Sequence, residues 1–182
     1  MPILPRRFYM RPAAEVAPDL LGMVLVHGKC AARIVETEAY LGERDPAAHA
    51  AKGLTPRTRV LYGPPGHAYV YLIYGMYHCL NIVTEPEGSP GCVLIRALEP
   101  LVGLDLNASG PGKLTRAMGI TRAQNGVDLT QGEFTVRRAA ATKKIAVGPR
   151  VGIRTAVDWP LRFAIAGNRY VSKPVLPSTY TT

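Results

Sequence analysis

Ala68–Asn81, AYVYLIYGMYHCLN, decides the fold. Tyr69 and Tyr71 recur with the period of two that puts side chains on one face of a strand. Gly75 permits a reversal and Tyr77–Asn81 reads as the returning strand, so the stretch predicts a β-hairpin. Its turn, Tyr74-Gly75-Met76, carries large apolar groups where a soluble chain ordinarily places polar ones. Two readings fit. The turn is either covered by another segment of the core, or it protrudes as an aromatic tip able to wedge between stacked bases from the minor groove.

Upstream, Met23–Val26 and Ala31–Tyr40 predict two strands joined at His27-Gly28-Lys29. A short helix over AAEVAPDLLG, interrupted at Pro18 and closed by Gly22, precedes them. Residues 41–65 are rich in Gly, Pro and charge without periodicity, and predict a long irregular connection of the kind that is usually functional or disordered. Downstream, Gly91–Leu98 predicts a central strand, Leu101–Leu106 a short helix, and Pro111–Met118 a helix entered at Gly110-Pro111 and ended at Gly119. After a turn at Asn125-Gly126, Glu133–Arg138, Ile145–Ile153 and Leu161–Ile165 predict short strands. Hairpin-length links outnumber crossover helices, so the expected class is α+β with mainly antiparallel pairing. The 182 residues fit one domain, 1–182, large enough to bury a core without disulfides or metal.

The net charge of +9 is spread along the chain, which suits a folded surface facing a polyanion. Cys30, Cys79 and Cys92 form no CxxC pair, and a reducing cytoplasm is the expected compartment. MPILPRRF lacks a long apolar segment and no apolar run is long enough to span a bilayer, so a membrane partner is not expected. His49, His67 and His78 show no metal-ligand spacing, and no metal site is expected. No nucleophile elbow, Walker loop or dinucleotide fingerprint is present. Gly110-Pro111-Gly112-Lys113 is either a plain helix cap or a helix start beside a lysine that holds a backbone phosphate. Gly148-Pro149-Arg150-Val151-Gly152 is either a turn with a basic residue or a backbone group aimed at a site.

Chemistry is expected on Arg33–Tyr40, RIVETEAY. In a regular strand Ile34, Glu36, Glu38 and Tyr40 share one side, while Val35, Thr37 and Ala39 share the other. Two carboxylates then lie roughly 7 Å apart at their Cα atoms. A pair like that of a sugar hydrolase is one reading, but neighbours on one strand face are poorly placed to flank a substrate as such pairs do. One working carboxylate with the other in support is easier to build, and an edge strand with solvated glutamates is the competing reading.

These blocks together resemble a known family. RIVETEAYLG, AAH, TPRTR, YVYLIYGMYHCLNI, CVLIRALEP, GPGKL, RVGI and PLRF stand in the order found in alkyladenine, or 3-methyladenine, DNA glycosylases of the mammalian type. The resemblance runs from Asp19 to Phe163, with a shorter segment between Pro100 and Gly110 and a tighter turn at His27-Gly28-Lys29 than in the mammalian proteins. It implies a single mixed domain around a curved, mainly antiparallel sheet with peripheral helices and a protruding hairpin. It implies a monofunctional, cofactor-free and metal-free base excision repair enzyme, monomeric and acting on double-stranded DNA that contains damaged purines. Such an enzyme flips 3-methyladenine or 7-methylguanine, and in some members hypoxanthine and ethenoadenine, out of the duplex and hydrolyses the N-glycosidic bond.

By resemblance, Glu38 activates the attacking water, Arg96 helps to hold that water and the Val151 main chain contacts it. Tyr40, His49 and Tyr71 match the walls of the base pocket, and Asn81 the residue that crowds a guanine amino group. Tyr74 matches the wedge that fills the vacated stack, beside Met76 and Tyr77; the phosphate contact expected of Lys113 comes from its helix-start position and not from the resemblance. Tyrosine faces favour a cationic methylated base, which is also a good leaving group, whereas a neutral base needs protonation, for which His49 is a weak candidate. Two other classes compete: a non-enzymatic nucleic-acid module that uses the tyrosines as a stacking platform, and a hydrolase of free nucleosides or other glycosides.

Overall fold

Eight strands form one sheet, curled into a half-barrel, among residues 1–140 and 144–174, which the computed structural model describes. In chain order the strands are β1 (Val24–His27), β2 (Cys30–Tyr40), β3 (Ala68–Ile73), β4 (Tyr77–Thr84), β5 (Gly91–Val102), β6 (Phe134–Arg137), β7 (Ile145–Gly148) and β8 (Arg162–Ile165). Three short helices accompany them: α1 (Arg6–Tyr9), α2 (Ala13–Asp19) and α3 (Pro111–Ala117). The main path runs β3-β4-β5-β2-β1-β6, β8 joins β2, and β7 pairs with β8. Every pairing between these strands is antiparallel, as the α+β expectation requires.

β2 organises this topology. One of its edges pairs with β5 along most of its length. The other pairs with β1 as far as Arg33 and then, from Glu36 to Glu38, with β8. At the switch Ile34 opposes Leu98 while Glu36 opposes Ala97, so Val35 is an extra residue in the strand. An irregularity of this kind bends a strand and re-aims its side chains. Ile34 consequently packs with Ala39 in the main core, not on the face of the glutamates as regular alternation predicts.

The sheet separates two environments through its period of two. Ala68 and Val70 of β3, Leu80 and Ile82 of β4, and Val93 and Ile95 of β5 join Val16, Ala17 and Leu20 from the α2 region in the main core. Their alternating neighbours Tyr69, Val83 and Cys92 belong to a second cluster with Ala50 and Leu61, against which Tyr40 and Tyr71 pack. One face of the sheet is therefore a plain hydrophobic interior. The other carries tyrosines, thiols and charges, roofed by the connection that follows β2.

That connection, residues 41–65, is built of three short 3₁₀ turns, Gly42–Arg44, His49–Lys52 and Arg59–Tyr62. Asp45 pins its start by accepting from Leu41 N (3.1 Å) and Ala47 N (3.0 Å). Two other expectations need correction. Leu101–Leu106 is not helical: β5 continues to Val102, which pairs with Ala31, and the chain then turns at Gly103 (φ 67°). An added Cβ there would lie 2.9 Å from Lys29 O, so the close approach requires glycine. Sheet pairing thus overrides the weak helical preference of a short run containing glycine. β7 stops at Gly148 instead of running to Ile153, because Pro149 has no N–H to extend a ladder. Among the described residues no helix is long and apolar enough to cross a membrane.

Candidate active site

The polar face of the sheet lines a cavity of about 310 Å³, within the range of small-ligand sites. Tyr40, His49, Tyr71, Asn81, Arg96 and Val151 all line it, together with Cys79, Cys92, Leu94 and residues 152–155. Six residues expected on separate segments thus converge on one space. Glu38 does not line the cavity; it is fully buried directly behind this wall, in contact with three of these residues.

The Glu38 carboxylate is held from several sides. Its Oε1 accepts from Val151 N at 2.7 Å and lies 3.3 Å from Arg96 Nη1, while its Oε2 accepts from Tyr40 OH at 3.0 Å. Arg96 and Val151 therefore touch the carboxylate itself. Burial raises the pKa of Glu38, and Arg96, the Val151 amide and the Tyr40 hydroxyl oppose that rise, while the Glu36 charge adds to it. A carboxylate in this setting is more basic than one in water. It can take a proton from a group brought to the cavity wall.

The walls are aromatic. The His49 and Tyr71 ring centroids lie 4.5 Å apart and nearly edge to face, and the Tyr69 and Tyr71 centroids 5.4 Å apart. The Tyr69 hydroxyl and His49 Nδ1 share a hydrogen bond of 2.9 Å. Burial, followed by the Arg57 and Lys52 charges, lowers His49 to about 4, so the ring is neutral at physiological pH. Burial likewise raises Tyr40, Tyr71 and Cys79, and pushes Cys92 to about 12. Asn81 is buried, donating from Nδ2 to Tyr69 O at 3.2 Å. Its position is set from behind, leaving little freedom to yield to a bulky group.

The hairpin tip is separate from the cavity. Tyr74 is 81% exposed, Met76 66% and Tyr77 50%. The reading in which another segment covers the turn is thereby excluded. Tyr74 and Gly75 both have positive φ, 53° and 71°, and Met76 N donates to Ile73 O at 3.3 Å. A bulky non-glycine residue in that region is rare and strained, and such strain concentrates at functional positions. Tyr77 also abuts α3: an added Cβ on Gly112 would meet Tyr77 Cβ at 3.0 Å. Lys113 follows directly in α3, so the GPGK segment packs beside the base of the tip.

Two buried networks escaped the sequence reading. Asp45 and Arg150 form a buried ion pair, closed by Arg150 Nη1 to Asp45 Oδ2 and by Nη2 to Oδ1 at 2.9 Å. Arg150 also donates to Ala39 O at 3.0 Å and places its guanidinium carbon 4.7 Å from the Tyr40 ring centroid. The pair braces the Tyr40 wall and fixes the segment that presents Val151 N. Both alternatives for Gly148–Gly152 are therefore realised, in Arg150 and Val151. The second network joins Glu36, Arg96 and Arg162, where Arg162 Nε donates to Glu36 Oε1 at 2.7 Å. Among the described residues no group of three or more metal-ligating side chains occurs.

Similarity to known proteins runs over nearly the whole chain. The methylpurine-DNA glycosylase family profile matches residues 7–169. A protein of Methanocella arvoryzae named "putative 3-methyladenine DNA glycosylase" is 55% identical over 180 residues, 89% of this chain and 90% of its own. Proteins of the same printed name from Rhodopseudomonas palustris and Methanoculleus marisnigri are 48% and 51% identical, covering 95% and 93% of this chain and 89% and 98% of theirs.

Proposed function

The chain belongs to the methylpurine-DNA glycosylase family, and from that premise we propose that it excises methylated purines from duplex DNA by base flipping and Glu38-assisted hydrolysis. The observation that carries this reading is the placement of a buried carboxylate, its pKa raised by burial, immediately behind an aromatic cavity within the size range of small-ligand sites.

A glycosidic carbon inside a duplex is shielded, so the nucleotide must leave the stack at a cost of a few kcal/mol, lowest where pairing is already weakened. Tyr74, held out on its strained turn, fills the vacated space, with Met76 and Tyr77 against the flanking bases and Lys113 on the backbone. The flipped base enters between Tyr40, His49 and Tyr71, and Asn81 crowds a guanine amino group, which disfavours unmodified guanine. In 7-methylguanine the positive charge offsets that crowding by making the base a better leaving group. A water enters beside Glu38, Arg96 and Val151. Its oxygen attacks C1′ as the bond from C1′ to the purine N9 breaks, the bonding electrons stay with the base, and the released proton passes to Glu38. Ionised Glu38 also stabilises the positive charge that develops on the sugar, and general-base assistance contributes about 10²- to 10⁴-fold.

Lesion class follows from the walls. The aromatic faces favour a cationic ring, and neutral His49 supplies no proton near neutral pH. Positively charged 3-methyladenine and 7-methylguanine, which depart without an acid, are the main substrates, and hypoxanthine and ethenoadenine leave more slowly. One chain carries tip, cavity and carboxylate, so a monomer suffices. The test is release of free methylated base from alkylated duplex DNA, followed chromatographically. Wild type should release it and Glu38→Gln should bind the same DNA without releasing base. Undiminished release by Glu38→Gln excludes the proposed role, and binding without release by wild type returns the non-enzymatic module.

A further inference from the structure

Glu36 is the second carboxylate of RIVETEAY, fully buried, and neither lines the cavity nor takes part in the hydrolysis proposed above. Its Oε1 accepts from Arg162 Nε at 2.7 Å, and its Oε2 from Ser172 N at 2.7 Å. Arg162 in turn donates to Lys173 O. The strap at 172–173 thereby closes the polar pocket around Glu36.

Arg96 is held differently. Its Nε lies 3.4 Å from Glu36 Oε1 and its Nη1 3.3 Å from Glu38 Oε1. The buried Nε has no hydrogen-bond partner among the described residues. Arg96 is thus suspended between two carboxylates at ion-pair distance. Its position reflects a balance of two attractions, one from each neighbour two residues apart on β2. Four charges make up the cluster, Glu36 and Glu38 against Arg96 and Arg162, with equal numbers of each sign.

We infer that Glu36 is a positioning residue: it draws Arg96 back from Glu38 and so leaves the Glu38 carboxylate basic enough to accept a proton. The inference rests on Glu38 being the base. Without the Glu36 charge, Arg96 has a single carboxylate to pair with, closes on Glu38 and neutralises it. Without Arg162, Glu36 has only Arg96 as a cation and pulls it further from Glu38. Glu38 faces Arg96 from β5, Tyr40 and Glu36 from β2, Cys79 from β4 and the Val151 amide, while Arg162 pairs with it in register from β8. Among these the two arginines are the cations whose balance the substitutions change.

Opposite substitutions should therefore move the chemistry in opposite directions. The acid limb of the single-turnover base-release profile on a 7-methylguanine duplex should shift to lower pH in Glu36→Gln by about one unit, with a plateau rate about tenfold lower and unchanged DNA affinity. In Arg162→Gln the limb should move to higher pH. Glu36→Asp, which keeps the charge, should hold the limb near the wild-type position. Loss of packing alone lowers the melting temperature of these variants without moving the limb in either direction. A stationary limb in a folded Glu36→Gln or Arg162→Gln overturns the inference, as do shifts of the same sign, and either variant decides by its sign if the other does not fold. Glu38→Gln in the same assay separates the two readings: if it still releases base the proposed function fails, and if it is inactive while the limb stays fixed only the Glu36 role fails.

Discussion

The hairpin tip and the centre of β2 use similar resources in opposite ways. Tyr74, Met76 and Tyr77 are exposed aromatic and apolar groups on a turn at the sheet edge. Glu36 and Glu38 are fully buried charges on the strand to which three others pair. Each is out of place by the ordinary rule that apolar groups go inside and charges outside. The difference teaches where each inversion can be supported. An apolar side chain on a turn costs the fold little where it stays in solvent, as Tyr74 and Met76 do. A buried carboxylate needs arginines, a main-chain amide and a hydroxyl around it, and all but the Tyr40 hydroxyl arrive from distant parts of the chain.

Substitutions should divide along that line. The largest effect belongs to Glu38→Gln, for which release should fall by about 10²- to 10⁴-fold while lesion-DNA affinity persists. A loss of affinity matching the loss of rate would erase the division. Asp45→Ala strands the buried Arg150 charge and should lower stability by about 3–5 kcal/mol, measured by urea unfolding. A near-neutral result would mean that Arg150 escapes to solvent, and that the Tyr40 wall does not depend on the pair. Tyr74→Ser should leave the melting temperature unchanged, since Tyr74 is 81% exposed, and weaken lesion-duplex binding by about 1–3 kcal/mol through lost stacking. Unfolding on that substitution would show that the tip is structural. The smallest effect is at Lys113→Gln, which should reduce the slope of log affinity against log salt by about one, uniformly across sequences.

How much of this division is legible in the sequence depends on the range of the signal. The hairpin is encoded locally, in the alternation of Tyr69 and Tyr71 and in Gly75, and it closes about that glycine with Ile73 opposite Tyr77. The exposure of its tip is not local: it follows from the position of β3 and β4 at the end of the sheet path. Along RIVETEAY, alternation places Glu36, Glu38 and Tyr40 together but misplaces Ile34, because the irregularity at Val35 arises where β2 exchanges β1 for β8. Asp45 and Arg150, or Glu36 and Arg162, are more than a hundred residues apart. No period or spacing connects such pairs, and only the ambiguous GPRVG segment hinted at one of them. Leu101–Leu106 failed for the complementary reason, a local helical preference too weak to resist pairing with β2.

The most direct test places Glu38→Gln and Tyr74→Ser side by side on one duplex carrying a single 7-methylguanine, with affinity by titration and base release under enzyme excess. The division predicts that Glu38→Gln keeps wild-type affinity and loses release, whereas Tyr74→Ser loses affinity and retains most of the release rate once DNA is saturated. Release at the wild-type rate by Glu38→Gln would contradict it.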